Sequence, residues 1–212
     1  MNRAGWLKLL VVFITLSFNF KSFPMEKMMQ FLNSVYPMTE ELMADLASIV
    51  KFRTLREREY LLQEGEICRE LHFIQSGYLR IFYLKDGKEV STWFLGETET
   101  IVSVDSFYDQ VPSYEFIQAI EPCELYYINY DELEATYEKH MVFNFIGRVL
   151  TIRYMRMLSR QLRSIRMLSG LERYQQLLQK DPELLRRAPL KYLASYLDME
   201  PETLSRMRGK II

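Results

Sequence analysis

The sequence contains only two cysteines and two histidines among its 212 residues. Cys68 and Cys123 lie far apart and outside any Cys-X-X-Cys spacing, which excludes a disulfide framework and a thiolate metal or iron–sulfur site. His72 and His140 are too few for a histidine-rich metal centre, and His72 sits among Leu71, Phe73 and Ile74 as a strand-surface histidine would. The sequence therefore predicts no metal ion, no cofactor and a reducing, cytoplasmic location.

The chain as a whole has almost no net charge, but its two parts differ sharply. Residues 1–147 contain 13 Lys/Arg and 22 Asp/Glu, a net charge of −9, whereas residues 148–212 contain 14 Lys/Arg and 6 Asp/Glu, a net charge of +8. A basic C-terminal segment behind an acidic unit is typical of a polyanion-binding module joined to another domain. An arginine-rich solvated helix would give the same count, so charge alone leaves both interpretations open.

Short runs rich in Val, Ile, Phe, Tyr and Leu fill the segment from Lys51 to Ile128, with turn residues between them. Asp86-Gly87 between two alternating runs is a strong hairpin signal. So many short strands predict a small antiparallel barrel or jelly roll. An amphipathic helix over Glu40–Val50, capped by Thr39, precedes it. The predicted strands are Lys51–Leu55, Tyr60–Gln63, Glu70–Gln75, Gly77–Leu84, Glu89–Phe94, Tyr114–Ala119 and Cys123–Ile128.

A long helix from about Met141 to Met167 follows, because this stretch contains no proline and no turn cluster. Apolar residues lie on more than one of its sides, so it must pack against two partners. One partner is the barrel of the same chain. The other is either the same helix of a second subunit or a second part of the same chain. The small domains on either side offer the helix little further surface for packing, which favours the homodimer. The predicted dimer row consists of Met155, Leu158, Leu162 and Ile165; Phe145, Val149 and Ile152 form another row.

The last residues predict two helices joined by a tight turn. Ala194 supplies the small residue that a crossing helix requires, and Asp198 tolerates the left-handed backbone of the turn better than most residues. Pro201 suits the first turn of the second helix. The apolar residues of the shared core are Leu193, Leu197, Met199, Leu204 and Met207.

The outward face of the second helix offers side chains suited to DNA. Arginine pairs with guanine, glutamate accepts from cytosine, and hydroxyls or further basic residues hold phosphates. We expect DNA contacts from Glu202, Thr203, Ser205, Arg206, Arg208 and Lys210. The alternative is a helical hairpin used for packing alone.

These segments together resemble Crp/Fnr-type bacterial transcription regulators over Met25 to Lys210. Pro201–Arg206 stands where the family's recognition helix begins, and the barrel resembles its cyclic-nucleotide-binding-type β-roll. The resemblance implies an α+β fold with an antiparallel β-roll or jelly roll, a long dimerisation helix and a C-terminal helix-turn-helix. The β-roll landmarks are Gln63-Glu64-Gly65-Glu66, Leu71–Arg80, Lys85-Asp86-Gly87-Lys88-Glu89 and Phe94-Leu95-Gly96-Glu97.

Three departures from the family pattern affect function. Members that bind cyclic AMP have Gly-Glu and Arg-Ser in a helical phosphate cassette, where this chain has Val102-Ser103 and Ser113-Tyr114. A buried phosphate without a cationic partner is costly, so we expect another effector or none. The expected effector pocket consists of Ile101, Val102, Ser103, Ser113 and Tyr114. The sequence also ends without the β-wing that often follows the recognition helix, and it lacks the family's iron–sulfur cysteines.

The predicted domains are a leader (1–24), the sensor β-roll (25–138), the dimerisation helix (139–168) and the DNA-binding domain (169–212). Expected partners are double-stranded DNA with an inverted repeat, a second copy, a small-molecule effector and RNA polymerase. Two other function classes are open: a jelly-roll enzyme, for which a metal cluster and a nucleophile–base pair are missing, and a binding module whose tail contacts protein.

An apolar stretch, Leu9–Phe20, lies in the leader. It is shorter than the roughly 20 residues that a membrane-spanning helix needs. Arg3 and Lys8 precede it, as in a signal peptide, but no Ala-X-Ala cleavage site follows. An export signal, a membrane-surface anchor and an upstream start codon are the three interpretations. We favour the last, with a native start near Met25, because export would separate a DNA-binding tail from DNA; no stable membrane association is expected.

Overall fold

The computed structural model describes residues 25–211, so the leader and Ile212 lie outside the described residues, and the side chains are described up to Gly209. Within this range no helix has both the length and the apolar character needed to cross a membrane. The helices are α1 (Glu26–Val35), α2 (Glu40–Ile49), α3 (Val104–Asp109), α4 (Tyr130–Lys139), α5 (Met141–Met167), α6 (Gly170–Lys180), α7 (Pro182–Arg187), α8 (Leu190–Tyr196) and α9 (Pro201–Ile211).

The strands form two antiparallel sheets of four strands each, as the sequence predicted for a β-roll. They are β1 (Lys51–Leu55), β2 (Tyr60–Leu62), β3 (Glu70–Ser76), β4 (Leu79–Lys85), β5 (Lys88–Leu95), β6 (Thr100–Ile101), β7 (Phe116–Ala119) and β8 (Cys123–Asn129). The sheet orders are β1-β8-β3-β6 and β2-β7-β4-β5. At the predicted hairpin between β4 and β5, Asp86 and Gly87 both have positive φ, 52° and 74°. This mirror-image turn matches the strand twist.

Two elements of the roll are missing from the sequence prediction. Helix α1 buries Met28, Met29 and Leu32, and Phe31 contacts Phe73 of β3 with ring centroids 5.6 Å apart. Strand β6 has only two residues, which is too short to show any alternation.

The prediction that His72 lies on the strand surface is wrong. The residue is 3% exposed, because its ring packs 5.4 Å from the ring of Tyr127 on the neighbouring strand and lies beside Glu70. This burial lowers the pKa of His72 below its ordinary value.

Helix α5 joins the β-roll to the C-terminal helices. It spans Met141–Met167, the range that the sequence predicted. Its first turns bury Phe143 and Ile146 in the core of the roll. A second core, built on Leu184, Leu185, Leu193, Ala194 and Leu204 of the C-terminal helices, extends to Tyr78, Phe94 and Ile120 of the roll. The C-terminal domain is therefore packed directly against the sensor domain.

Candidate nucleic-acid interface and effector pocket

Helices α8 and α9 form the predicted helix-turn-helix. Leu193, Ala194 and Leu204 are fully buried where the helices meet. The small side chain of Ala194 allows this close approach, and its carbonyl accepts a hydrogen bond from the amide of Met199 at 3.0 Å. Asp198 has φ of +52°, the left-handed conformation that the sequence predicted for the turn.

Arg173 of α6 holds this turn in place, a role that the sequence did not indicate. Its guanidinium donates to the carbonyls of Leu197 at 2.9 Å and Asp198 at 3.2 Å, and also to Leu168 at 3.0 Å. These carbonyls lie at the ends of α8 and α5, where helices leave acceptors without partners. One arginine therefore connects the end of the long helix to the turn that aims α9.

The exposed face of α9 carries three of the predicted DNA-contacting side chains together: Glu202, Ser205 and Arg206. Thr203 is half-buried beside them. The guanidinium of Arg206 donates only to the carbonyl of Glu202 in its own helix, at 3.3 Å, and among the described residues it has no carboxylate partner. An exposed arginine without an ion pair is free to bind an external acceptor.

Arg208 differs from the other predicted contacts. It is half-buried, and its guanidinium donates to the carbonyl of Leu185 at 3.0 Å. Arg208 thus connects α9 to α7. The side chain of Lys210 lies outside the described residues.

The predicted dimer row lies on an exposed side of α5. The exposed fractions are 62% for Met155, 42% for Leu158, 56% for Leu162 and 48% for Ile165. Another side of the helix contacts the roll: Tyr154 packs against Trp93, with ring centroids 6.0 Å apart, and Gln161 donates to the carbonyl of Thr92 at 2.7 Å. Among the described residues this apolar row is therefore left exposed on α5, and its role in a dimer stays a prediction.

Arginines occupy a further exposed side of α5. Arg153, Arg156, Arg160 and Arg163 follow a 3-4-3 spacing and are all exposed, and residues 141–171 contain no Asp or Glu. Within the described part of the chain none of these four arginines forms an ion pair. The basic C-terminal segment thus begins on α5 and continues to the helix-turn-helix.

The predicted effector pocket is closed by its own side chains. Ile101, Ser103 and Ser113 are buried, with exposed fractions of 0%, 0% and 3%. The hydroxyls of Ser103 and Ser113 lie 3.0 Å apart, and Ser103 also donates to the carboxylate of Glu115 at 3.1 Å. Burial raises the pKa of Glu115 above its ordinary value.

The other two predicted pocket residues behave differently. Val102 is half-buried and packs against the core of the roll, whereas Tyr114 is 56% exposed. The structure thus brings Ile101, Ser103 and Ser113 together and directs Tyr114 outward. Sequence reasoning did not single out Glu115, although a carboxylate two residues after Ser113 is visible in the sequence.

Arg80 of β4 forms the centre of the contact between the roll and the C-terminal domain. It is 1% exposed. Its guanidinium donates to Gln118 at 2.7 Å, pairs with Glu89 at 2.8 Å and lies 3.4 Å from the ring centroid of Tyr192 on α8. A buried arginine is tolerated only when its charge is paired and hydrogen-bonded.

Further polar contacts join the two domains. The hydroxyl of Ser195 on α8 accepts from the amide of Ser91 and donates to the carbonyl of Glu89, both at 2.9 Å on strand β5. Arg187 pairs with Glu97 at 3.2 Å and with Glu121. These partners are far apart in sequence, so neither spacing nor composition indicated them.

One cluster of potential metal ligands occurs among the described residues, namely Glu41, Asp45 and His140. The ammonium of Lys139 already lies 2.5 Å from Asp45 and 3.5 Å from Glu41. His140 contacts the same Asp45 oxygen at 2.6 Å. The arrangement is that of an ion-pair network between α2 and the start of α5.

The comparisons with known proteins agree with this architecture. Residues 52–140 match the cyclic nucleotide-binding domain family. The c-di-GMP-responsive global regulator CLP of Xanthomonas campestris is 17% identical, with a TM-score of 0.64 over 82% of this chain and 91% of that one. The Thermus thermophilus catabolite activator protein is 20% identical, with a TM-score of 0.53 over 85% of this chain and 86% of that one. No curated protein sequence matches the chain.

A crp/fnr-family transcriptional regulator of Eubacterium rectale, described as putative, is 15% identical, with a TM-score of 0.62 over 84% of this chain and 87% of that one. At these identities the three structures show a shared fold. Residues 52–140 are thus similar to a cyclic nucleotide-binding domain, and the described chain shares the fold of these solved regulators.

Proposed function

We propose that the chain is a homodimeric transcription regulator that binds DNA in a sequence-specific manner. The observation that carries the proposal is the exposed face of α9, where Arg206 and Glu202 lie side by side with no carboxylate partner for the arginine among the described residues. Both side chains are of types that read base edges in a major groove. Ser205 and Thr203 beside them suit phosphate contacts, and we assign Arg208 and Lys210 to the phosphate backbone as well.

The apolar row on α5 supports a homodimer. Met155, Leu158, Leu162 and Ile165 are exposed in the single chain, and burying such a row against its copy is favourable. A two-fold dimer places its two recognition helices in successive major grooves. The operator is then an inverted repeat with half-sites about 10 bp apart, centre to centre.

The closed cassette supports a sensor that does not bind cyclic AMP. The serine hydroxyls satisfy one another, and the half-buried carboxylate of Glu115 lies beside them. A cyclic phosphate here would meet an anion instead of a guanidinium, which is unfavourable in a desolvated site. The regulator acts in the cytoplasm, and RNA polymerase is a further partner in this proposal.

The alternative is a binding module whose basic tail contacts protein instead of DNA. The same exposed arginines on α5 and α9 would serve an acidic protein surface, so charge alone does not separate the two functions.

Selection from a random pool of duplexes separates them. The proposal predicts enrichment of an inverted repeat with the stated half-site spacing. A pool in which no repeat is enriched would refute it, and a pool from which no duplex is retained would favour the alternative.

A further inference from the structure

A cavity of about 270 Å³ lies where the roll, α5 and the C-terminal domain meet. It is separate from the cassette. The turn Gly96–Glu99 forms one side, Met157 of α5 another, and the C-terminal domain the third. The lining residues are Tyr78, Trp93, Phe94, Gly96, Glu97, Thr98, Glu99, Met157, Lys180, Asp181 and Tyr196.

Aromatic side chains from both domains form much of this lining. Trp93 and Phe94 come from β5, and Tyr196 from the end of α8. Phe94 and Tyr196 meet edge to face with ring centroids 5.4 Å apart. Trp and Tyr rings attract cations through their quadrupoles and also cover apolar groups.

Glu99 places an uncompensated carboxylate in this cavity. One of its oxygens accepts the amide of Gly96 at 2.9 Å, but no cation among the described residues lies within ion-pair distance. Burial raises the pKa of Glu99 above its ordinary value, while Lys180, which is exposed, lowers it only in part. A desolvated carboxylate gains from a cation that enters the site.

The other two acids of the lining are already engaged, which distinguishes Glu99. Asp181 accepts from the hydroxyl of Tyr78 at 3.0 Å and caps α7, and Glu97 pairs with Arg187. Burial, together with the charges of Glu99 and Asp181, raises the pKa of Tyr196 to about 12. The lining therefore contains three carboxylates, two of them already engaged, and one exposed ammonium, that of Lys180.

We propose that this cavity binds a small organic ammonium ion, whose charge lies at Glu99 and whose carbon groups lie against Trp93 and Tyr196. Because both domains contribute walls, the bound cation stabilises the packed arrangement of the DNA-binding domain on the roll. The consequence for DNA affinity rests on the proposed function, whereas the binding itself does not.

Titration calorimetry with choline and with n-butylammonium tests the site. The neutral alcohol 3,3-dimethylbutan-1-ol has the shape of choline without its charge and serves as the reference ligand. Glu99→Gln removes the charge and keeps an oxygen for the amide of Gly96. Glu64→Gln removes the same charge from an exposed carboxylate outside the cavity and is the matched control.

We expect at least one cation to bind with an affinity about tenfold or more above that of the alcohol. Glu99→Gln should lose that preference, and Glu64→Gln should keep it. Equal binding of the cations and the alcohol, or an unchanged preference in Glu99→Gln, would overturn the site.

Fluorescence anisotropy with the selected operator, with and without the bound cation, tests the coupling. An operator affinity that changes when the cation binds supports it, and an unchanged affinity overturns the coupling while the site stands. The titration contains no DNA. A protein that failed to bind the cation would therefore leave the proposed binding of operator DNA untouched. A protein that binds the cation but selects no operator would overturn the proposed function instead.

Discussion

At the scale of single residues, Arg206 is the most direct test of DNA reading. Loss of a bidentate contact between arginine and guanine costs roughly 1–3 kcal/mol per half-site and relaxes the preference at that base pair. Arg206→Ala should therefore weaken operator binding steeply and leave most non-specific binding intact, as measured by anisotropy. Arg56→Ala is a suitable control because that side chain is 94% exposed on the roll. An unchanged base preference in Arg206→Ala would refute its assignment as a base reader.

Arg208 tests the phosphate backbone contacts in a different way. Its substitution by alanine should weaken binding to all sequences and flatten the salt dependence by about one phosphate contact. The structure adds a second effect, since the carbonyl of Leu185 loses its donor at a site that is buried. We expect a loss of about 1 kcal/mol in the free energy of unfolding, measured by urea denaturation. A variant with the salt slope of the unmodified protein would contradict the phosphate assignment.

The cassette residues predict the response to cyclic AMP. With half-buried Glu115 beside the buried Ser103 and Ser113, the described residues of the cassette offer a cyclic phosphate no cation to neutralise it. Titration calorimetry with micromolar cyclic AMP should give no saturable heat. A sub-micromolar dissociation constant would show that the cassette rearranges to admit the nucleotide.

At the scale of the secondary-structure elements, α5 predicts the oligomeric state. Leu158→Glu together with Leu162→Glu places two charges in the apolar row, and each leucine loses about 1.5–3 kcal/mol of burial in a dimer. Light scattering should then find a monomer. Arg160→Glu is the control because it puts the same side chain on the exposed arginine side of the helix. A double variant that stays dimeric would place the interface elsewhere.

The sequence predicted elements well where one local pattern was sufficient. Strand alternation and the turn at Asp86-Gly87 located the β4–β5 hairpin, and the offsets around Ala194 and Asp198 located the helix-turn-helix. The sequence patterns predicted burial less well where other side chains cover a strand position. Arg80 is buried in a strand position because α8 lies over it, and His72 is buried by its neighbours. Glu99 became a candidate only when the fold brought two distant domains around it.

At the scale of the whole molecule, the roll and the C-terminal domain share one interface, and this limits how either can move. Tyr192 and Ser195 of α8 contact Arg80, Ser91 and Glu89 of the roll. Any effector that alters β5 or the turn after it therefore acts on the helix next to the recognition helix. Both the arginine side of α5 and the exposed face of α9 carry exposed arginines, so binding to DNA should also fall steeply with salt.

Substitution of Arg80 tests this interface. Arg80→Met has a similar volume but leaves Glu89 without its cation and removes the contact with the Tyr192 ring. We expect a loss of roughly 3 kcal/mol in the free energy of unfolding. This value is at the lower end of the cost of breaking a buried ion pair, because 28% of the Glu89 side chain is exposed. Hydrogen exchange of the amides in α8 and α9 should accelerate as the domain separates from the roll.

The control for this variant is Arg53→Met. Arg53 pairs with Glu70 at 3.0 Å on the roll, with 32% of its side chain exposed, so we expect a loss below about 1 kcal/mol and unchanged exchange in α8 and α9. Equal losses in the two variants would mean that Arg80 stabilises the roll alone. Unchanged protection of α8 in Arg80→Met would show that the remaining contacts are enough to hold the domains together: Phe94 with Tyr196, Ser195 with β5, and Arg187 with Glu97 and Glu121.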